Sequence, residues 1–287
     1  MTAHILNGKE LASKIKIKLK KQVLQLKEKG ITPVLAVIRI GDNPASKIYV
    51  TSKCRQSEEV GIQANEHYLD PTISRNDVLE LIYRLNSDPA THGILIQLPL
   101  PNHLDHFELI AAIDPKKDVD GLHPFNQGLL TTGQLGIVPC TPKGCLTLLK
   151  DYKKSLDGMN AAIIGRSILV GRPMGMLLLQ ENCTVTYTHS HTESIEQKTR
   201  EADILIVATG VPKLITKSWI KPGAIVIDVG INYLVHDDGT SDLVGDVDYH
   251  VAKEIASAIT PVPGGVGPMT VVSLLQNTIE IASKSIT

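Results

Sequence analysis

The chain has 287 residues, 43% of them hydrophobic and 21% charged, with a formal net charge of -1; that is an ordinary soluble composition, long enough for two domains. So little net charge excludes a field that would gather nucleic acid or an anionic membrane, and 3% aromatic residues exclude a base-stacking surface. The four cysteines (Cys54, Cys140, Cys145, Cys183) form neither a C-x-x-C pair nor a disulfide framework, no apolar run reaches membrane-spanning length, and the N-terminus lacks a targeting segment, so no metal is expected and a reducing cytoplasm is.

In chain order, residues 8 to 29 carry apolar positions at helical spacing and end at Gly30, a natural helix-stopping residue. "PVLAVIRI" (33 to 40) reads as a buried strand, "PASKIYVTSKCRQSEEV" as a helix closing at Gly61, and "QANEHYL" as a second strand. A helix over 74 to 86, a strand "GILIQLPL" (93 to 100) and a helix over 103 to 112 follow. Strands alternating with helices predict a parallel sheet covered on both faces.

Around 114 to 144, Pro, Gly, Asp and Asn crowd together, and the domain junction is expected there. The alternation then restarts: strand "AAIIG", helix 171 to 182, strand "TVTYTH", helix 194 to 201, strands "DILIVATG" and "GAIVIDVG", and a helix from about Thr270 after "GGVGPM". The expected fold class is α/β, two lobes with a cleft between them, the second lobe Rossmann-like.

The segment "AAIIGRSILVGRPMGMLLLQENCTVTYTHSHT" has the order strand, glycine-rich turn, helix, strand. Gly165 ends the strand, and Gly171 and Gly175 follow at a spacing different from G-x-G-x-x-G. Gly165 and Gly171 would let backbone N–H groups and a helix N-terminus approach a pyrophosphate, whereas a purely structural turn needs one such glycine. An NAD-specific unit places a carboxylate at the end of the next strand for the ribose hydroxyls. Here that strand runs into Thr188, His189, Ser190 and His191, while Arg166 and Ser167 follow the first glycine. An arginine with a hydroxyl and an imidazole suits a 2′-phosphate, which favours NADP. The plainer reading of His189 and His191 is a polar strand end.

Tyr49 and Lys53 stand four apart in the second predicted helix and so share a face; a half-buried tyrosine beside a surface lysine gives the same pattern. Gln97 sits near the C-terminal end of an apolar strand, where crevices open in parallel sheets, and an amide facing Lys53 is expected there. Asp118 and Asp120 lie two apart in "KKDVDGLHP". No further cluster completes a cation site. One carboxylate accepting paired N–H groups of a heterocycle is the functional reading, and an Asx turn before Gly121 competes for Asp118.

"PASKIYVTSK", "GILIQLPLP", "KDVDGLHPFNQGLL", "PCTPKGC", "GRSILVGRPM", "GAIVIDVGIN", "GDV" and "TPVPGGVGPMTV", in this order from about residue 5 to the C-terminus, together resemble the bifunctional methylenetetrahydrofolate dehydrogenase/methenyltetrahydrofolate cyclohydrolase family. The resemblance implies a folate-binding catalytic lobe over 1 to 139 with a returning segment over 268 to 287, and an NADP-binding lobe over 140 to 267. It places the family's catalytic groups on Tyr49, Lys53, Gln97 and Asp120. Cofactor positions fall on Gly165, Arg166, Ser167, Gly171, His189, Ser190, Ile231 and Thr270. Folate positions fall on Tyr49, Asp120, Pro263, Gly264 and Gly265, with Gly267, Cys140 and Thr141 at related positions. It further implies a cytoplasmic homodimer joined through the nucleotide lobe.

The chemistry so implied has two steps. Hydride leaves the bridging methylene of the folate for NADP⁺, which requires alignment more than acid catalysis. Water then attacks the methenyl cation and a proton must travel towards the departing nitrogen. Lys53 is the expected proton carrier, with Gln97 orienting it, Tyr49 stacking on or hydrogen-bonding the substrate, and Asp120 gripping the pterin. Two other readings compete with this one: an NADP-dependent dehydrogenase of another small substrate, and a nucleotide-sensing protein without turnover.

Overall fold

The computed structural model describes residues 2–235 and 240–285. In chain order its elements are β1 (His4–Ile5), α1 (Gly8–Glu28), β2 (Val34–Ile40), α2 (Pro44–Val60), β3 (Gln63–Leu69), α3 (Arg75–Ser87), β4 (Gly93–Ile96), α4 (His106–Ala111), α5 (Pro124–Thr131) and α6 (Cys140–Tyr152). There follow β5 (Asn160–Ile164), α7 (Gly171–Gln180), β6 (Thr184–Thr188), α8 (Ile195–Thr199), β7 (Ile204–Val207), β8 (Ile225–Asp228), β9 (Asn232–Val235), β10 (Ser241–Val244), α9 (Tyr249–Ile255), β11 (Ala258–Ile259) and α10 (Val266–Lys284). The chain divides into two units, one of residues 14–140 with 271–285 and one of residues 2–13 with 141–270.

The first unit is built on a parallel sheet of order β3-β2-β4. All seven residues of the central strand β2 are buried, whereas the edge strand β3 alternates between exposed and half-buried positions, which is the difference between burial on both faces and on one. Ile38, Ile82, Ile94 and Leu109 close the core between β2, β4, α3 and α4, each contributing about 1.5–3 kcal/mol by burial. The Asn43 side chain accepts from Ser46 N–H at 3.1 Å to start α2, with Pro44 in the first turn, and Gly61 stops it at φ 93°. From α10, the buried Asn277 donates through Nδ2 to the Val119 and Val138 carbonyls at 2.9 and 3.0 Å.

The second unit holds a six-stranded parallel sheet of order β1-β11-β8-β7-β5-β6 and a separate antiparallel ribbon, β10-β9. β7 and β8 are wholly buried; β7 reads as a continuous apolar run, and β8 as one closed by Asp228. From β5 the chain moves to one side to form β6 and then to the other to form β7, so the strand order reverses between β5 and β7. The expected boundaries are corrected at three places: Cys140 falls in the first unit, and residues 268–270 and 2–13 fall in the second. Residues 2–13 belong with the nucleotide-type sheet, because β1 pairs in parallel with β11. Ile286 and Thr287, the end of the segment expected over 268 to 287, lie outside the described residues.

Candidate active site

In the first unit the expected lysine and glutamine meet. α2 carries Lys53, half-buried, and β4 ends at Ile96 just before Gln97. Lys53 Nζ donates to Gln97 Oε1 at 2.9 Å, and Gln97 Nε2 donates to the Leu98 carbonyl at 2.6 Å. The strand stops short of its expected limit at 100 because Pro99 has no N–H to offer the ladder. Tyr49 stands one turn before Lys53 and is 40% exposed.

The two aspartates separate cleanly. Asp118 is buried and accepts from Gly121 N–H at 3.0 Å, His123 N–H at 2.8 Å and Asn126 Nδ2 at 2.9 Å. Burial pushes its carboxyl above the usual range, with the Asn126 and backbone donors pulling the other way. It is the organiser of its own turn, as the Asx reading anticipated. Asp120 is half-buried and its carboxylate makes no hydrogen bond among the described residues. A parallel bridge between Ile94 and Asp118 lays this segment along β4 and carries Asp120 towards the strand end that holds Gln97. Cys140 Sγ donates to the Val119 carbonyl at 3.3 Å in the same region. A cavity of about 490 Å³, walled by Phe125, Leu129, Ile137 and Ile281, sits beside Thr91 and His92 at the opposite end of β4 and is separate from this group.

In the second unit the glycines make a close-packed turn. Gly165 has φ 120°, and a Cβ there would run into the Ala208 carbonyl after β7. A Cβ on Gly171 would strike the Gly165 carbonyl, and one on Gly175 the Tyr187 hydroxyl on β6. The Tyr187 hydroxyl in turn donates to the Arg172 carbonyl at 2.8 Å. Each glycine therefore answers a different approach of backbone or ring, which draws the N-terminus of α7 down to the strand ends. Ser167 Oγ accepts from Val170 N–H at 3.2 Å, and Arg172 Nε donates to the Arg166 carbonyl at 3.1 Å. Arg166 and Ser190 are exposed. His189 Nδ1 accepts from His191 N–H at 3.2 Å, and His189 N–H donates to Thr192 Oγ1 at 2.9 Å, so this imidazole shapes the turn after β6.

Pro263, Gly264 and Gly265 also belong to the second unit. Lys9 N–H donates to the Gly264 carbonyl at 2.9 Å, and Gly264 has φ 102°. Thr270 and Thr141 share a hydroxyl contact of 3.1 Å. Ile231, 43% exposed, follows β8.

Two buried aspartates in this unit have no role in the sequence reading. Asp228 ends β8 and accepts from Gly230 and Asp246 N–H through Oδ1 at 2.9 and 3.0 Å and from Val247 N–H through Oδ2 at 2.9 Å. Burial pushes its carboxyl up to about 7 against those three donors. Asp246 Oδ2 accepts from Thr209 N–H, Thr209 Oγ1 and Gly210 N–H at 2.6, 2.9 and 2.9 Å, and its Oδ1 accepts from Asn232 Nδ2 at 2.8 Å. The available signal was a carboxylate closing an otherwise apolar strand run, "IVID", and a second one behind a glycine in "GDV".

Comparison with known proteins adds a family. Residues 6–120 match the model described as tetrahydrofolate dehydrogenase/cyclohydrolase, catalytic domain, and residues 139–286 match the NAD(P)-binding domain of the same name. The chain is 53% identical over 286 residues to a bifunctional protein FolD of Ruegeria pomeroyi, covering 99% of this chain and 96% of that one. Among solved structures, the bifunctional FolD enzyme of Campylobacter jejuni is 47% identical with a TM-score of 0.95, over 98% of this chain and 99% of that one. The FolD of Trypanosoma brucei, solved with NADP cofactor and an inhibitor, is 36% identical with a TM-score of 0.95, over 100% and 99%.

Proposed function

The chain belongs to the tetrahydrofolate dehydrogenase/cyclohydrolase family, and from that premise we propose which residues carry its two reactions. It is a bifunctional enzyme of one-carbon folate metabolism: it oxidises 5,10-methylenetetrahydrofolate with NADP⁺ to 5,10-methenyltetrahydrofolate and hydrolyses that product to 10-formyltetrahydrofolate. We assign folate recognition to the unit of residues 14–140 and 271–285, and NADP binding to the unit of residues 2–13 and 141–270.

The single observation that carries the catalytic assignment is the 2.9 Å bond from Lys53 Nζ to Gln97 Oε1. It leaves the amine's remaining valences for a water or substrate nitrogen, and Gln97 cannot rotate away without also losing Leu98. Lys53 takes the proton from the attacking water and returns it to the nitrogen that leaves. Asp120, with its carboxylate uncommitted, accepts the paired N–H groups of the pterin, and Tyr49 lies against the substrate one turn away. The glycine turn fits a dinucleotide, since Gly165 and Gly171, packed on the Ala208 and Gly165 carbonyls, let the α7 N-terminus close onto the strand ends, where its N–H groups can receive a pyrophosphate. When bound, NADP⁺ accepts the hydride. Arg166 and Ser190 hold the 2′-phosphate, with His189 shaping the loop between them, while Gly165, Ser167 and Gly171 line the pyrophosphate turn. Ile231 and Thr270 complete the nicotinamide end.

A two-channel assay on wild type and Lys53→Met tests this. The expected result is loss of methenyltetrahydrofolate hydrolysis with NADPH formation partly kept; equal loss in both channels would remove Lys53 from the proton path. We further infer a cytoplasmic homodimer joined through the nucleotide-binding unit. Supporting this reading are Tyr233 and Val235 of the ribbon, exposed at 58% and 70%, and the lack, among the described residues, of any helix long and apolar enough to cross a membrane.

A further inference from the structure

Asp246 is wholly buried, yet it touches no group of the proposed chemistry. Its Oδ2 gathers Thr209 and Gly210 from the turn after β7, and its Oδ1 gathers Asn232 from the turn after β8. Its own N–H is held by Asp228, which also holds Gly230. Ile231 is thereby bracketed, Gly230 tied to one carboxylate and Asn232 to the other. The packing is reciprocal. A Cβ on Gly230 would collide with the Asp246 carboxylate, and one on Gly245 with the Asp228 carboxylate. Both turns sit at the C-terminal ends of strands beside the reversal of strand order, where α/β sheets receive ligands. The turn after β7 also supplies Ala208, whose carbonyl is the surface against which Gly165 is packed.

We propose that Asp246, acting through Thr209, Gly210 and Asn232, is a positioning residue for the nicotinamide half of the dinucleotide, fixing the floor beneath Gly165 and the backbone at Ile231. This rests on the NADP reading above. Arg166 and the turn after β6 serve the phosphate-bearing ribose, on the far side of β5. Asp246 serves the β7–β8 side, which NAD⁺ and NADP⁺ share. The two functions are therefore separable by ligand.

Titration calorimetry of NADP⁺ and of NAD⁺ into wild type, Asp246→Ala, Asp246→Asn and Asn232→Ala, with thermal unfolding of the ligand-free proteins alongside, tests the proposal. Asp246→Ala and Asn232→Ala are expected to raise Kd about tenfold for both nucleotides by the same factor, from the loss of buried hydrogen bonds. Asp246→Asn keeps one acceptor oxygen for the turn after β7, while Asn232 turns its amide to accept from the new NH₂, so it should restore most of the affinity. Asn232 is half-buried, so its variant should unfold within about 3 °C of wild type; should Asp246→Ala not fold, Asn232→Ala decides. Unchanged Kd values in Asn232→Ala, or a loss confined to NADP⁺, overturn the proposal. Wild type that folds but binds neither nucleotide overturns the NADP reading, and this inference with it.

Discussion

Lys53 and Gln97, 44 positions apart, are joined by a 2.9 Å bond whose acceptor is fixed because the other end of the same amide donates to the Leu98 carbonyl at 2.6 Å. The amide presents an oxygen to the amine and withholds its N–H groups. That polarity, more than the mere contact, is what proton transfer at Nζ requires.

Gln97→Glu tests the polarity. A carboxylate at 97 would hold the proton on Nζ and lose the donor to Leu98. Hydrolysis of methenyltetrahydrofolate at neutral pH should fall about a hundredfold, and the rate–pH profile should move to higher pH than wild type. A profile with unchanged position and only lower amplitude would mean that Gln97 merely supports the fold.

Arg166 lies in the exposed turn after β5. Removing a charge-assisted partner of a phosphate costs roughly tenfold to a hundredfold in affinity. Arg166→Ala should therefore weaken NADP⁺ binding by that factor and leave NAD⁺ within about twofold. Parallel loss of both nucleotides would move Arg166 to the pyrophosphate.

Asp228 makes stability depend on pH in a stated direction. Its folded-state carboxyl lies near 7, above the ordinary 3.8, so the folded protein binds the proton more tightly than the unfolded chain. The stabilisation is complete below about pH 4 and is lost as pH rises to about 7, amounting to a few kcal/mol. Denaturant midpoints of wild type and Asp228→Asn, compared from pH 4 to 8, should show the wild type losing ground steadily over that window. A constant difference would show that Asp228 is already ionised at pH 4.

The fold was legible wherever local pattern and burial agree. Buried runs such as β2 and β7 stood out, as did α2, whose Asn43 and Gly61 mark both ends. What escaped was structure whose partners lie far off in sequence, or whose breakers sit inside elements. The turn-rich stretch 114 to 144 contains α5 and the start of α6, because Pro124 and Pro142 occupy first-turn positions that need no N–H and His123 caps the helix from outside. The same applies to α10, which begins at Val266 although Gly267 and Pro268 suggest a later start. The two-residue strands β1 and β11 have no pattern of their own and exist through each other and β8. In the candidate site, Lys53, Gln97 and the glycine turn followed from spacing and strand context. Asp228 and Asp246 did not, because what they hold is backbone and side chains from separate turns.

The pairing of β1 with β11 bears on synthesis. Ala258 and Ile259 leave the ribosome about 250 residues after His4 and Ile5, a delay of roughly 10–50 s at ordinary elongation rates. The other unit waits as well, since Asn277 and the buried face of α10 close over residues 119 and 138. Neither unit can be finished during translation of its own middle. Nascent chains thus expose unpaired strand edges until β11 and α10 emerge, so a product cut short before Ala258 lacks partners in both units and is open to chaperones and proteases.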